Sequence, residues 1–276
     1  SLFLIFLSKI FGYKVILSGQ TIGITSSFID RVFLRLALKQ ISLLSTRDKN
    51  YSYDFVKQFK FKDIYEVADD AFFLSRTLDK PHDFLNHKNK IVTLQCHLHD
   101  VDKKFINNYI LVFHSLVKYL IDLNYDVVFI SMVPSDNDAI NLVRKNLNLK
   151  TYFYECNYNF KKIKYLINKS HFMLSMRHHP IVFSLSLKKP CIALCCGKYM
   201  KSKNTGLLDM FSLRELSVNF DDAINSTKVN YSNIINSIKL IVKKYDFFQH
   251  AISEHLDKIK KKKNKFNTKI KKLMLD

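Results

Sequence analysis

Past residue 90 the chain alternates short apolar runs with longer segments of helical period, and this alternation narrows its fold more than any other feature. Ile91 to Gln95, Asp126 to Ser131, Thr151 to Glu155, His171 to Ser175 and Cys191 to Cys195 read as strands. Asp102 to Leu123, Asp136 to Leu147, Phe160 to Asn168, Ile181 to Leu187 and Lys201 to Met210 read as helices. Strands and helices in strict turn predict an α/β fold with a parallel sheet and right-handed crossovers. A Rossmann-like domain is therefore expected over residues 91–230.

The first part of the chain repeats the pattern on a smaller scale. Leu2 to Phe11, Ser27 to Gln40 and residues 49–60 read as helices, and Lys14 to Leu17, Ile41 to Ser45 and Ile64 to Ala68 as strands. Residues 1–80 are thus expected to form a second, partial Rossmann-like domain. Periodicity fades between Arg76 and Lys90, where Pro81, His82, Asn86 and His87 fall, so residues 81–90 read as a linker. Residues 231–276 read as a long basic C-terminal helix. Its stripe Ile235, Ile238, Val242, Tyr245, Phe248, Ile252, Leu256, Ile259 buries one face up to about Lys265, and the lysines beyond read as a solvated, frayed end.

At 276 residues there is enough chain for two domains with cores of their own. The net charge of +20 demands an anionic partner, and much of it is crowded between Lys258 and Lys272. No RNA- or DNA-binding signature accompanies it, so no specific nucleic acid is expected; a membrane surface or an acidic polymer fits the charge. Five cysteines, two of them adjacent at Cys195 and Cys196, read as reduced, buried residues of a cytoplasmic protein. They lack a second pair or a His at ligand spacing, so no metal is expected. Ser1 to Leu7 is apolar, but Lys9 and Lys14 interrupt it long before the roughly 20 residues a membrane span requires.

In a parallel sheet, ligands gather at the carboxyl ends of strands, where unpaired N–H groups and helix dipoles favour an anion. Those ends supply Gly19 and Gln20, Arg47 with Asp48, Gln95 to His99 including His97, Arg177 with His179, and Cys195 to Lys203. Asp48 reads as a helix N-cap. Pro180 suits the first position of the helix that follows His179. A fixed cation and a titratable imidazole at one junction suggest handling of a phosphate or carboxylate. A solvated Arg177 and a capping His179 are equally compatible with this local pattern.

Ser18-Gly19-Gln20-Thr21-Ile22-Gly23-Ile24, Thr46-Arg47-Asp48, Asp69-Asp70-Ala71-Phe72, Ser175-Met176-Arg177-His178-His179 with Ile181 to Leu187, Lys189-Pro190 and Lys203-Asn204-Thr205-Gly206 follow one another in order. In this the chain resembles the polysaccharide pyruvyl transferase family over roughly residues 1 to 215. The resemblance implies two Rossmann-like domains in a GT-B-like arrangement, with a site in the cleft where Arg47 faces Arg177 and His179. The strand and Gly-rich segment usual at the start of family members do not precede Ser1, so the N-terminal domain is expected to be truncated. Asp70 stands where a Pro is common, and Cys195-Cys196 where a Ser-Tyr type pair is frequent.

The activity implied is transfer of a pyruvyl group from phosphoenolpyruvate to two hydroxyls of a sugar in a surface polysaccharide or its lipid-linked precursor, forming a ketal. By position, Arg177 would bind the donor's carboxylate or phosphate and His179 would be general acid or base. Arg47, Lys203, Gly19, Gln20 and His97 would contact substrate. Phosphoenolpyruvate serves as donor and no cofactor is implied. The expected place of work is the cytoplasm, at the inner face of the membrane if the C-terminal lysines touch lipid. Two other readings stay open: a GT-B-like glycosyltransferase using a nucleotide sugar, with Glu215 as the acidic residue near its ribose, and a non-catalytic basic binding protein on the same fold.

Overall fold

The computed structural model describes residues 2–275 apart from positions 24, 26, 76, 146 and 226–228. Ser1, Ile24 and Arg76, on which the sequence reading draws, lie outside the described residues. The chain divides into two compact units, Ser1–Phe72 with Glu254–Asp276, and Phe73–Ser253. The pattern had placed its boundary at a linker over 81–90; residues 73–89 instead belong to the second unit, and the end of the chain belongs to the first.

In the first unit, strands β1 (Val15–Gln20), β2 (Ile41–Thr46) and β3 (Ile64–Glu66) lie parallel in that order. Consecutive residues of a strand face opposite ways, and Leu44 accordingly joins a core with Ile5, Leu38, Val56 and Ile64 while Leu43 joins another with Val67 and Phe266. Helix Phe28–Leu38 is capped by Ser27, whose side chain accepts from the Asp30 N–H. The helix expected over 49–60 is shorter and begins as a wide π-type turn, Lys49–Tyr53, running into Asp54–Lys57. Asp48 starts it, its Oδ1 accepting from the N–H groups of Tyr51 and Ser52 at 2.8 and 2.7 Å.

The expected long C-terminal helix is two helices, Ser232–Lys243 and Tyr245–Leu275, parted at Lys244 (φ −119°, ψ 32°), where the Tyr245 ring stacks on His171 at 4.1 Å. The lysine-rich end is no frayed tail. Ile259, Phe266, Ile270 and Leu273 recur at helical spacing, Phe266 is wholly buried, and Ile270 and Leu273 pack against the same core of the first unit.

The second unit holds β4 (Lys90–Gln95), β5 (Tyr125–Phe129), β6 (Tyr152–Phe153), β7 (Ser170–Ser175), β8 (Cys191–Cys195) and β9 (Ser217–Asn219). All pairs are parallel, in the order β6-β5-β4-β7-β8-β9. Counted from β4 this is 3-2-1-4-5-6, the doubly wound Rossmann order. β4, β7 and β8 are buried along almost their whole length, β8 as a continuous apolar run, as strands inside a parallel sheet are. β9, Ser-Val-Asn, has no such run and only its pairing to β8 reveals it. Among the described residues no helix is long and apolar enough to cross a membrane.

Candidate functional site

β4 and β7 are neighbours from which the chain departs to opposite sides of the sheet, and such a switch point opens a crevice at the carboxyl ends of the two strands. Gln95 ends β4 and is fully buried. Its Oε1 accepts from the backbone N–H of Arg177 at 2.9 Å and of Met176 at 3.2 Å, and from Ser175 Oγ at 3.2 Å. One amide side chain thereby ties the end of β4 to the turn that presents Arg177.

The Arg177 side chain turns to Asp136, in the first turn of helix Pro134–Lys145. Its Nε and Nη2 both donate to Asp136 Oδ1, at 2.7 and 2.6 Å. The other carboxylate oxygen accepts from the Met132 and Val133 N–H groups at 2.9 and 3.3 Å. Asp136 is wholly buried, yet every oxygen is partnered, which is the condition for a stable buried charge.

A cavity of about 480 Å³ opens beside this pair. Arg177, His97, His99, Ser135 and Asp138 give it polar walls, and Leu98 and Val133 apolar ones. His97 is buried, and its Nδ1 accepts from the His99 N–H at 3.1 Å, which places the proton of the neutral ring on Nε2. Burial pushes the His97 pKa down to about 4; the Arg177 charge pushes the same way, against Asp136 and Asp100. At neutral pH the cavity thus combines the Arg177 guanidinium and the uncharged His97 imidazole with the Asp138 carboxylate on its wall. Such walls suit a carboxylate or phosphate: Arg177 supplies charge and planar donors, His97 a neutral hydrogen bond.

A second cluster lies at the strand ends of the first unit. Gly19 and Gln20 are the last residues of β1 rather than a turn beyond it. Gly19 has φ +58°, and a Cβ there would lie 2.9 Å from the Asp70 N, so glycine is required by both conformation and space. Arg47 donates from Nε to the Gly19 carbonyl at 3.0 Å and from Nη1 to Asp69 Oδ2 at 2.7 Å. Lys263, from the C-terminal helix, donates to Asp70 Oδ1 at 2.6 Å and to Ser18 Oγ at 3.0 Å. Sequence reasoning missed Lys263 and Asp136. Neither carries a motif, and each acquires its role from a partner 193 or 41 residues away.

A sequence model described as polysaccharide pyruvyl transferase matches residues 1–194 of the 276. The chain belongs to the polysaccharide pyruvyl transferase family. No curated protein matches the sequence. Among solved structures, UDP-GlcNAc 2-epimerase from Neisseria meningitidis bound to UDP-GlcNAc superposes with TM-score 0.64 and 13% identity, covering 100% of this chain and 73% of the epimerase. A putative UDP-N-acetylglucosamine 2-epimerase from Listeria monocytogenes gives 0.59 at 9% identity, with 91% of this chain and 65% of the other covered. Phytolacca americana UGT2 complexed with UDP-2fluoro-glucose and pterostilbene gives 0.56 at 8%, covering 91% and 59%. The chain thus spans about two thirds of the epimerases' length and less of the plant protein's. At these identities the likeness is one of fold, Rossmann-like and of GT-B type.

Within this pyruvyl transferase family member, two expected site residues stand apart from the cavity walls. His179 is exposed on the first turn of helix His178–Ser186, its ring 5.8 Å from His178 and 6.5 Å from Phe183. That helix starts at His178, so Pro180 is its third residue, still among those whose N–H has no intrahelical partner. Lys203 was expected near a strand end, but its helix, Gly197–Asp209, begins four residues earlier than the pattern predicts. Asp221 sets that start: it accepts from the Gly197 N–H at 2.9 Å and the Cys196 thiol at 3.1 Å. Lys203 consequently lies in the second turn, its Nζ 5.8 Å from the Tyr199 ring. All five cysteines are buried, and burial raises the pKa of each. Among the described residues no group of three or more His, Cys, Asp or Glu could hold a metal ion.

Proposed function

We propose that the protein moves a pyruvyl group from phosphoenolpyruvate onto two hydroxyls of a sugar in a surface polysaccharide or its precursor. The observation that carries this reading is the family match over residues 1–194, a span that holds Gly19, Arg47, His97, Arg177 and His179. The chemistry asks for what those residues offer. The donor's methylene carbon takes a proton, C2 gains cationic character, two sugar oxygens add to C2, and the C2–O bond to phosphate breaks. One hydroxyl proton balances the proton gained by carbon, and the other leaves with phosphate.

Arg177 is assigned to the donor's carboxylate or phosphate, since a guanidinium matches either in a planar fork. His97 is assigned a neutral hydrogen bond to the same group. With its pKa near 4 the His97 ring is neutral at pH 7 and has no imidazolium proton to give, so the proton steps are assigned to His179. Arg47, Gly19, Gln20 and Lys203 are assigned to substrate contacts. No cofactor is invoked, and the site of action is placed in the cytoplasm.

Incubation with phosphoenolpyruvate and a panel of glycans tests the reading: glycan-dependent phosphate release supports it. The rival reading, transfer from a nucleotide sugar, draws on fold neighbours bound to UDP-GlcNAc or UDP-2fluoro-glucose. Its acidic candidate, Glu215, is exposed in the short turn Arg214–Leu216. Tight nucleotide-sugar binding with no phosphate release from any acceptor would replace the first reading by the second.

A further inference from the structure

Nine lysines fall between Lys258 and Lys272, and the helix that carries them has no acidic residue from there to Leu275. Folding sorts them by face. Lys258 and Lys260 pair within the helix, with Glu254 at 2.6 Å and Asp257 at 2.9 Å. Lys262 reaches Glu66 at 3.1 Å, and Lys263 reaches Asp70 at 2.6 Å. Lys261, Lys265, Lys269, Lys271 and Lys272 are left, all exposed, and four of them, Lys261, Lys265, Lys269 and Lys272, share one face. Their spacing of four, four and three residues puts them within about 80° of arc and along about 16 Å of helix, at 100° and 1.5 Å per residue. Ile259, Phe266, Ile270 and Leu273, which anchor the helix to its own unit, fall on another face.

We propose that this four-lysine stripe is a docking surface for an anionic lipid bilayer. The stripe has neither an arginine fork for bidentate contact nor an aromatic ring for base stacking, so it lacks what nucleic-acid grooves use. Compact ammonium groups on flexible stems suit a diffuse sheet of phosphate headgroups. At the end of the helix Leu275, 88% exposed and about 40° from the edge of the stripe at 100° per residue, supplies apolar atoms that an acyl boundary can take up. Buried Phe266 keeps the helix docked, which leaves the stripe presented as a rigid row.

Sedimentation with phosphatidylglycerol-containing vesicles, against phosphatidylcholine alone, tests the proposal. The full chain should pellet with the anionic vesicles only and be released by about 0.5 M salt. Substituting Lys261, Lys265, Lys269 and Lys272 together by Gln should lower partitioning at least about 100-fold, since each lysine near such a surface adds about five-fold. Removing the same charge at Lys39, Lys103, Lys118 and Lys145 should lower it less than about ten-fold. The quadruple Lys→Arg variant, which keeps the charge, should bind like wild type. Equal pelleting with neutral vesicles would overturn the proposal. So would equal losses in the two Gln variants, or a stripe variant that loses single-stranded polynucleotide binding while keeping vesicle binding.

Discussion

The Arg177 guanidinium gives two of its donors, Nε and Nη2, to a single oxygen of Asp136, at 2.7 and 2.6 Å. Because the other oxygen is held by the Met132 and Val133 N–H groups, the carboxylate cannot swing, and the guanidinium plane is set at the cavity wall. Arg177→Lys keeps the charge but loses the fork. It should reduce glycan-dependent phosphate release at least about 100-fold while the melting temperature stays within a few degrees. Asp136→Asn leaves Arg177 without its counter-charge and should cost about 1–3 kcal/mol in denaturant unfolding. A wild-type rate in Arg177→Lys would remove that residue from the site.

His179 is exposed, so its truncation removes little packing. His179→Ala should abolish turnover by about 100-fold or more with a nearly unchanged melting curve. A melting loss that outweighs the loss of rate would assign His179 to the helix end instead.

His97 and His171 both have pKa values pushed down from 6.5 to about 4, chiefly by burial. Between those values the unfolded chain binds protons that the folded chain refuses, so stability must fall as pH drops from about 6.5 to 4 and be flat in this respect above 7. Melting temperatures across that window should show the decline, and His171→Gln should reduce its slope. An unaltered slope in that variant would mean that His171 is not protonated differently in the two states.

Gly19→Ala meets both a φ of +58° and an Asp70 N 2.9 Å from the new Cβ. A loss of about 1–3 kcal/mol in unfolding free energy is expected, because strain and a backbone clash combine. Arg47, bonded to the Gly19 carbonyl, should be disturbed with it, raising the KM for phosphoenolpyruvate.

Phe266→Ala would empty a fully buried site between Leu43 and Val67. A cost of about 3–5 kcal/mol is expected. A freely frayed lysine tail would show almost none, so chemical denaturation distinguishes the two.

Most elements were legible in the sequence because apolar periodicity is a local property. Cys191–Cys195 emerged with its bounds unchanged, and Phe160–Lys169 within one residue. What escaped depended on neighbours. β9 is a strand because β8 lies beside it, and the helix at Gly197 starts early because Asp221, 24 residues on, accepts its first N–H. The candidate site divides the same way. Arg177, His97, Arg47 and Gly19 could be named from their places at strand ends, since a parallel sheet collects function there.

By itself the sequence determined the alternation of strand and helix, the residues at the strand ends and the family to which they belong, all written in short-range pattern. Tertiary structure alone decided which charges meet. It gave Arg177 to Asp136, Arg47 to Asp69 and Lys263 to Asp70, and it left Lys261, Lys265, Lys269 and Lys272 exposed along one face of their helix. Ion pairs and buried titrations depend on distance and exclusion of water between residues far apart in the chain, and no local periodicity encodes either.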